Sequence, residues 1–137
     1  MNRRDFQKLA ETRLLEARAL FQGQRFDEAY YLAGYVIECA LKAGIAKKTR
    51  EHDFPPKKGS DYYTHDLEKL ARLAGSEFEQ DRNNDTILAG YWDLVKVWDQ
   101  ESRYDLHQAN AERLAEDMLL AISDPEHGVL TCLSKYW

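Results

Sequence analysis

From Trp98 to His107 the chain reads Trp-Asp-Gln-Glu-Ser-Arg-Tyr-Asp-Leu-His, a stretch that gathers the residue types used in phosphoryl chemistry. On a helix, Arg103 and His107 stand at i and i+4 on one face, close enough to bracket a single phosphate. Histidine titrates near neutral pH, so it can take a proton from a ribose 2′-hydroxyl or give one to a leaving oxygen. Arginine stabilises the charge that grows on the phosphoryl oxygens. The pair therefore suits RNA cleavage that needs no metal. The competing arrangement is structural, with Arg103 paired to Asp99 or Asp105 and His107 an ordinary polar helix residue.

Other candidates are weaker. Glu38 and Lys42 stand at i and i+4 in the favourable acid-before-base order, on a helix so apolar that they face a subunit interface or a site, or form an ordinary helix ion pair. His65 follows Thr64 at an expected helix start, where its ring bonds a backbone group or pairs with Asp66. His52 and His127 show no arrangement that assigns them a role. The chain has no Glu-x-x-His, only Asp124-x-x-His127, so a carboxylate-bridged metal pair is not expected. Neither zinc-ligand spacing, a Gly-rich phosphate loop nor a Gly-x-Ser-x-Gly elbow is present. No metal and no cofactor is expected.

The elements that position these residues are helical. Phe6, Leu9, Ala10, Leu14, Ala17 and Phe21 recur at steps of three and four, predicting an amphipathic helix over 5–22 that Gly23 ends. Residues 27–48 carry Tyr30, Ala33, Val36, Ile37, Ala40, Leu41 and Ile45 around most of the circumference, predicting a central, deeply buried helix. Residues 49–63, with Pro55, Pro56 and Gly59, read as one long loop. Thr64 is the expected cap of a helix over 65–74 stopped by Gly75, and Ser76 with Glu79 reads as a capping box. Longer helices are predicted over 85–99, with Tyr91, Trp92 and Trp98, and over 106–122. Asp124 before Pro125 reads as the start of a terminal helix. With no strand pattern, the fold class is all-α, an up-and-down bundle of about five helices. A tetratricopeptide hairpin is discarded, because its repeat of about 34 residues would need a glycine where Lys57 stands.

The chain has 137 residues, 44% of them apolar and 31% charged, which fits one folded domain over 1–137. No stretch approaches the ~20 apolar residues of a membrane span, and the start MNRRDF lacks a signal segment, so a cytoplasmic protein is expected. Cys39 and Cys132 lie in apolar surroundings and read as buried thiols. A net charge of −5 disfavours coating nucleic acid over the whole surface but leaves room for a small cationic site.

The stretch Phe26-Asp27-Glu28-Ala29-Tyr30-Tyr31-Leu32-Ala33-Gly34-Tyr35-Val36-Ile37-Glu38-Cys39-Ala40-Leu41-Lys42-Ala43, then Thr64-His65-Asp66-Leu67 with Leu70, then Trp92, Trp98 and Arg103-Tyr104, resembles the HEPN domain. The match runs over nearly the whole chain. The resemblance implies a bundle of about five helices that dimerises and, in many members, a metal-independent endoribonuclease. In prokaryotes such domains are often toxins encoded beside a small nucleotidyltransferase-like antitoxin. The family signature is Arg, about four to six residues, then His. Carried over, the catalytic residues are Arg103 and His107, with Tyr104 and Lys42 at the RNA or nucleotide. Here three residues separate Arg103 from His107. Members that keep Arg-Tyr without the catalytic His are thought to bind a nucleotide, RNA or a partner protein, and that is the alternative function.

Overall fold

A computed structural model describes residues 1–48, 63–101 and 110–137. Among them are seven helices and no strand: α1 (Arg3–Gln22), α2 (Phe26–Lys48), α3 (Leu67–Ala74), α4 (Glu77–Asn84), α5 (Thr86–Val95), α6 (Ala111–Ser123) and α7 (Val129–Leu133). The fold is the expected all-α bundle. Asn2 and Asp5 form a reciprocal capping box that starts α1. The turn into α2 uses Gln24, at φ 62°, as its left-handed residue, whereas Gly23 has an ordinary negative φ.

Helix α2 is the axis of the molecule. Ala29, Ala33, Val36, Ile37, Ala40, Leu41 and Ala43 are all fully or almost fully buried, because α1 packs along one side while α3, α6 and α7 cover the others. Small residues recurring along α2 let these neighbours approach, and the large side chains of Phe6, Leu67, Leu70, Met118, Ile122 and Val129 fill the space between them.

Several boundaries differ from the sequence reading, each for a local reason. Helix α5 stops at Val95, where Lys96 and Val97 turn the chain so that Trp98 enters the core at 4% exposure. Helix α3 is capped by Asp66, whose Oδ1 accepts from the Lys69 amide, and Thr64 acts one step earlier by accepting from the Asp66 amide. Ser76 makes no side-chain cap at α4. Asp124 and Pro125 open a turn, with α7 starting after Gly128. The expected 49–63 loop, except Tyr63, lies outside the described residues. Cys39 and Cys132 are free thiols, Cys132 buried and Cys39 partly so.

Candidate functional site

A carboxylate in a helix core requires hydrogen-bonding partners, since an unpaired buried charge is strongly disfavoured. Glu38, at 4% exposure in the middle of α2, has them on both oxygens. Lys42 Nζ, one turn on, donates to Oε1 at 2.9 Å. The imidazole of His65 meets Oε2 through Nδ1, also at 2.9 Å. A carboxylate only accepts, so this contact puts a hydrogen on Nδ1 and leaves Nε2 of the neutral ring as the acceptor.

His65 is placed there by the start of α3. Leu67, Leu70 and Ala71 bury one face of that helix against α2, and the Asp66 cap fixes where it begins. The residue just before the cap is thereby held over the middle of α2. Its ring lies edge-on to Tyr35, with centroids 6.1 Å apart, and Tyr35 in turn meets Trp98 at 5.0 Å. Trp98 is locked by its indole N–H, which donates to the Tyr31 carbonyl at 3.1 Å, and by lying flat against Gly34, where an added Cβ would come within 2.0 Å of the indole. The Tyr31 and Tyr35 hydroxyls share a hydrogen bond of 3.1 Å.

These contacts build a groove. His65 and Asp66 form one side, Trp98 and Asp99 the other, and the imidazole is 41% exposed at its edge while Glu38 stays covered beneath. The arrangement is an oriented imidazole backed by a buried carboxylate, which can accept or deliver a proton at a wet surface.

Of the residues selected from sequence, Arg103, Tyr104 and His107 lie outside the described residues, as do Asp105 and His52. Lys42 is described, and it is buried against Glu38. His65 bonds Glu38 rather than a backbone group or Asp66, a partner 27 residues away that local spacing does not reveal. His127, unassigned from sequence, has Nδ1 2.7 Å from Asp85 Oδ2, and Asp85 caps α5 through the Ile87 and Leu88 amides. That contact raises the His127 pKa and lowers that of Asp85. Burial pushes the Cys39 thiol up to about 11 and the Cys132 thiol up to about 12, the latter helped by its contact with Asp81, so neither has the thiolate character of a nucleophile.

The model of the HEPN domain matches residues 4–123, which span α1 to α6 and include both the groove residues and the Arg103 to His107 segment. The chain belongs to the HEPN domain family. No curated protein and no solved structure matches it. Within this HEPN domain, α2 and the residue just before the cap of α3 bring Glu38, Lys42 and His65 together. No described helix is long and apolar enough to cross a membrane.

Proposed function

We propose that this HEPN protein is a metal-independent endoribonuclease, acting as the toxin of a pair whose antitoxin is a small nucleotidyltransferase-like protein. The observation that carries the reading is Arg103-Tyr104-Asp105-Leu106-His107 lying inside the span that matches the family. In this reading Arg103 neutralises charge on the phosphoryl oxygens and His107 moves a proton, while Tyr104 lines the bound RNA. Lys42 acts through Glu38, its partner in α2. The 2′-oxygen attacks the adjacent phosphorus as its proton leaves, the P–O5′ bond breaks, and a cyclic phosphate end remains. The active unit is a symmetric dimer of the 1–137 chain, with the two Arg103 and His107 pairs meeting near the axis.

Cleavage of a mixed-sequence oligoribonucleotide in excess chelator tests the reading. Wild-type protein is expected to leave cyclic phosphate ends, and His107→Ala and Arg103→Ala are each expected to cut the rate about a hundredfold or more while remaining folded and dimeric in sedimentation. Absence of cleavage by the wild type, together with harmless expression in cells, overturns it. A second reading, a non-catalytic HEPN protein that binds a nucleotide, RNA or a partner protein, is favoured by one observation. The three residues between Arg103 and His107 are fewer than the family signature places there. Tight binding of an oligoribonucleotide without turnover would select it.

A further inference from the structure

We propose that the cleft between α3 and α4, floored by Trp92, binds a small zwitterion, a free amino acid or a dipeptide, whose carboxylate is held by Arg82 and Arg72 and whose ammonium is held by Glu68 and Glu79. The inference is independent of the ribonuclease reading and uses no residue from it.

The cleft follows from the way two short helices diverge. Gly75 joins them at φ 117°, a conformation that side chains disfavour, and Ser76 leads into α4. Each helix lines the opening with the same kind of pair: Glu68 and Arg72 on α3, Glu79 and Arg82 on α4. Between them Ala71 and Trp92, both buried, form an apolar floor. The space is about 250 Å³, just below the ~300 Å³ at which sites for drug-sized ligands begin, so it suits a ligand the size of an amino acid.

Arg82 is the anchor. Its guanidinium carbon stands 4.6 Å from the centre of the Phe78 ring and 5.3 Å from that of Trp92, while Nε donates to the Phe78 carbonyl at 3.4 Å. The two rings are buried and set edge to face at 5.0 Å, so the platform beneath the guanidinium is itself fixed. The terminal amino groups of Arg82 meet no carboxylate among the described residues. A guanidinium placed this way is a ready fork for a carboxylate. The other three charges are equally open. Spacing alone would close Glu68 onto Arg72 and Glu79 onto Arg82 as ordinary helix ion pairs. Neither pair forms, and none of the four residues has another ion-pair partner among the described residues. The balance of charge then selects the ligand. Two guanidinium groups and two carboxylates sum to zero, so a phosphate drawn to one pair is repelled by the other, and a polyamine likewise. A molecule that carries both charges satisfies all four side chains.

The test is a proton–nitrogen NMR titration of the full-length protein with L-leucine and with leucyl-leucine, which differ in the separation of their charges. N-acetyl-leucine, leucinamide and inorganic phosphate serve as the comparison probes. At least one zwitterion is expected to bind saturably with a Kd of about 1 mM or tighter, shifting the Ser76 to Arg82 amides and the Trp92 indole. N-acetyl-leucine lacks the ammonium and leucinamide the carboxylate, and each should bind about tenfold more weakly or worse. Arg82→Lys keeps the charge but loses the fork and should weaken binding about tenfold, as should Glu79→Gln and Arg72→Gln. The last two alter exposed side chains only, so their loss of binding is not a loss of fold. Three results overturn the proposal: no saturable shift with either zwitterion, N-acetyl-leucine or phosphate binding as tightly as the zwitterions, or affinity within about twofold of wild type in all three variants. Cleavage of RNA by the wild type, present or absent, moves none of these readouts.

Discussion

His127 and Asp85 show how a single contact ties a helix start to a distant turn. Asp85 caps α5 with Oδ1 and meets His127 with Oδ2, while Asp124, at the other end of the turn, caps the Glu126 and His127 amides and accepts from the Tyr91 hydroxyl at 2.9 Å. Because the contact with Asp85 raises the His127 pKa in the fold, its contribution is full below the unfolded value of about 6.5 and is lost as pH rises through the native one. Asp85 runs the other way. Its lowered pKa, caused first by His127 and then by the backbone amides, gives stability that is full above about 3.9 and lost as pH falls through the native value. The clamp is therefore strongest between about pH 4 and 6.5. Thermal melts of wild type and His127→Gln should differ most near pH 5.5, and the gap should narrow as pH rises above 6.5; a constant gap across that rise would remove the charged contact from the account. Glu38 and Lys42 present the opposite case, a pair removed from water. Truncating Lys42 to Ala leaves its carboxylate with the imidazole alone among the partners named above, and loss of one partner of a buried pair costs about 3–5 kcal/mol. For that reason Lys42→Ala measures stability first, and conservative changes at Glu38 and His65 are the cleaner probes of chemistry.

Helix α2 was legible from its composition because it is apolar on nearly every side, a pattern that only a central helix shows. The same periodicity could not say where α5 ends. Trp98 continues the apolar pattern of α5, yet its place in the core depends on Gly34, 64 residues earlier, which leaves a gap that the indole fills. The Asp124–Pro125 pair misled for a related reason. An aspartate capping two amides looks alike in sequence whether it begins a helix or a turn, and the following Gly128 starts α7 instead. Gly34 offers a direct test of the packing between α2 and the groove. Its Cβ in Gly34→Ala would lie 2.0 Å from the Trp98 ring, too close for any rotamer adjustment of a methyl, so the indole must move. Overpacking of this kind costs about 1–3 kcal/mol. The variant is expected to melt several degrees lower, with a red-shifted tryptophan emission as the indole loses its bond to the Tyr31 carbonyl. An unchanged melt and emission would mean that Trp98 is not held against α2.

The chain as a whole is acidic, and this limits how it can meet RNA. A net charge of −5 on 137 residues disfavours a surface that follows nucleic acid through many phosphate contacts. Lys48, at the basic end of α2, is already engaged with Glu77 across the end of α3, beside Gly75. The fold class and the central helix could be read without coordinates, since both follow from periodicity. The groove could not, because His65 reaches Glu38, and Trp98 reaches Gly34, only after three helices have packed. On the reading proposed above, the chain holds a short segment of RNA, bound at one or a few phosphates. For single strands, the logarithm of affinity falls with the logarithm of salt at about 0.7 per phosphate neutralised, so two contacts give a slope near −1.4. Raising NaCl from about 50 to 200 mM should then weaken binding of an uncleavable 2′-deoxy oligonucleotide by roughly sevenfold, against about three hundredfold or more for six to ten contacts at the same slope per phosphate. Fluorescence anisotropy over that range reads the slope. A value steeper than about −4 would show that RNA follows an extended cationic path across the protein.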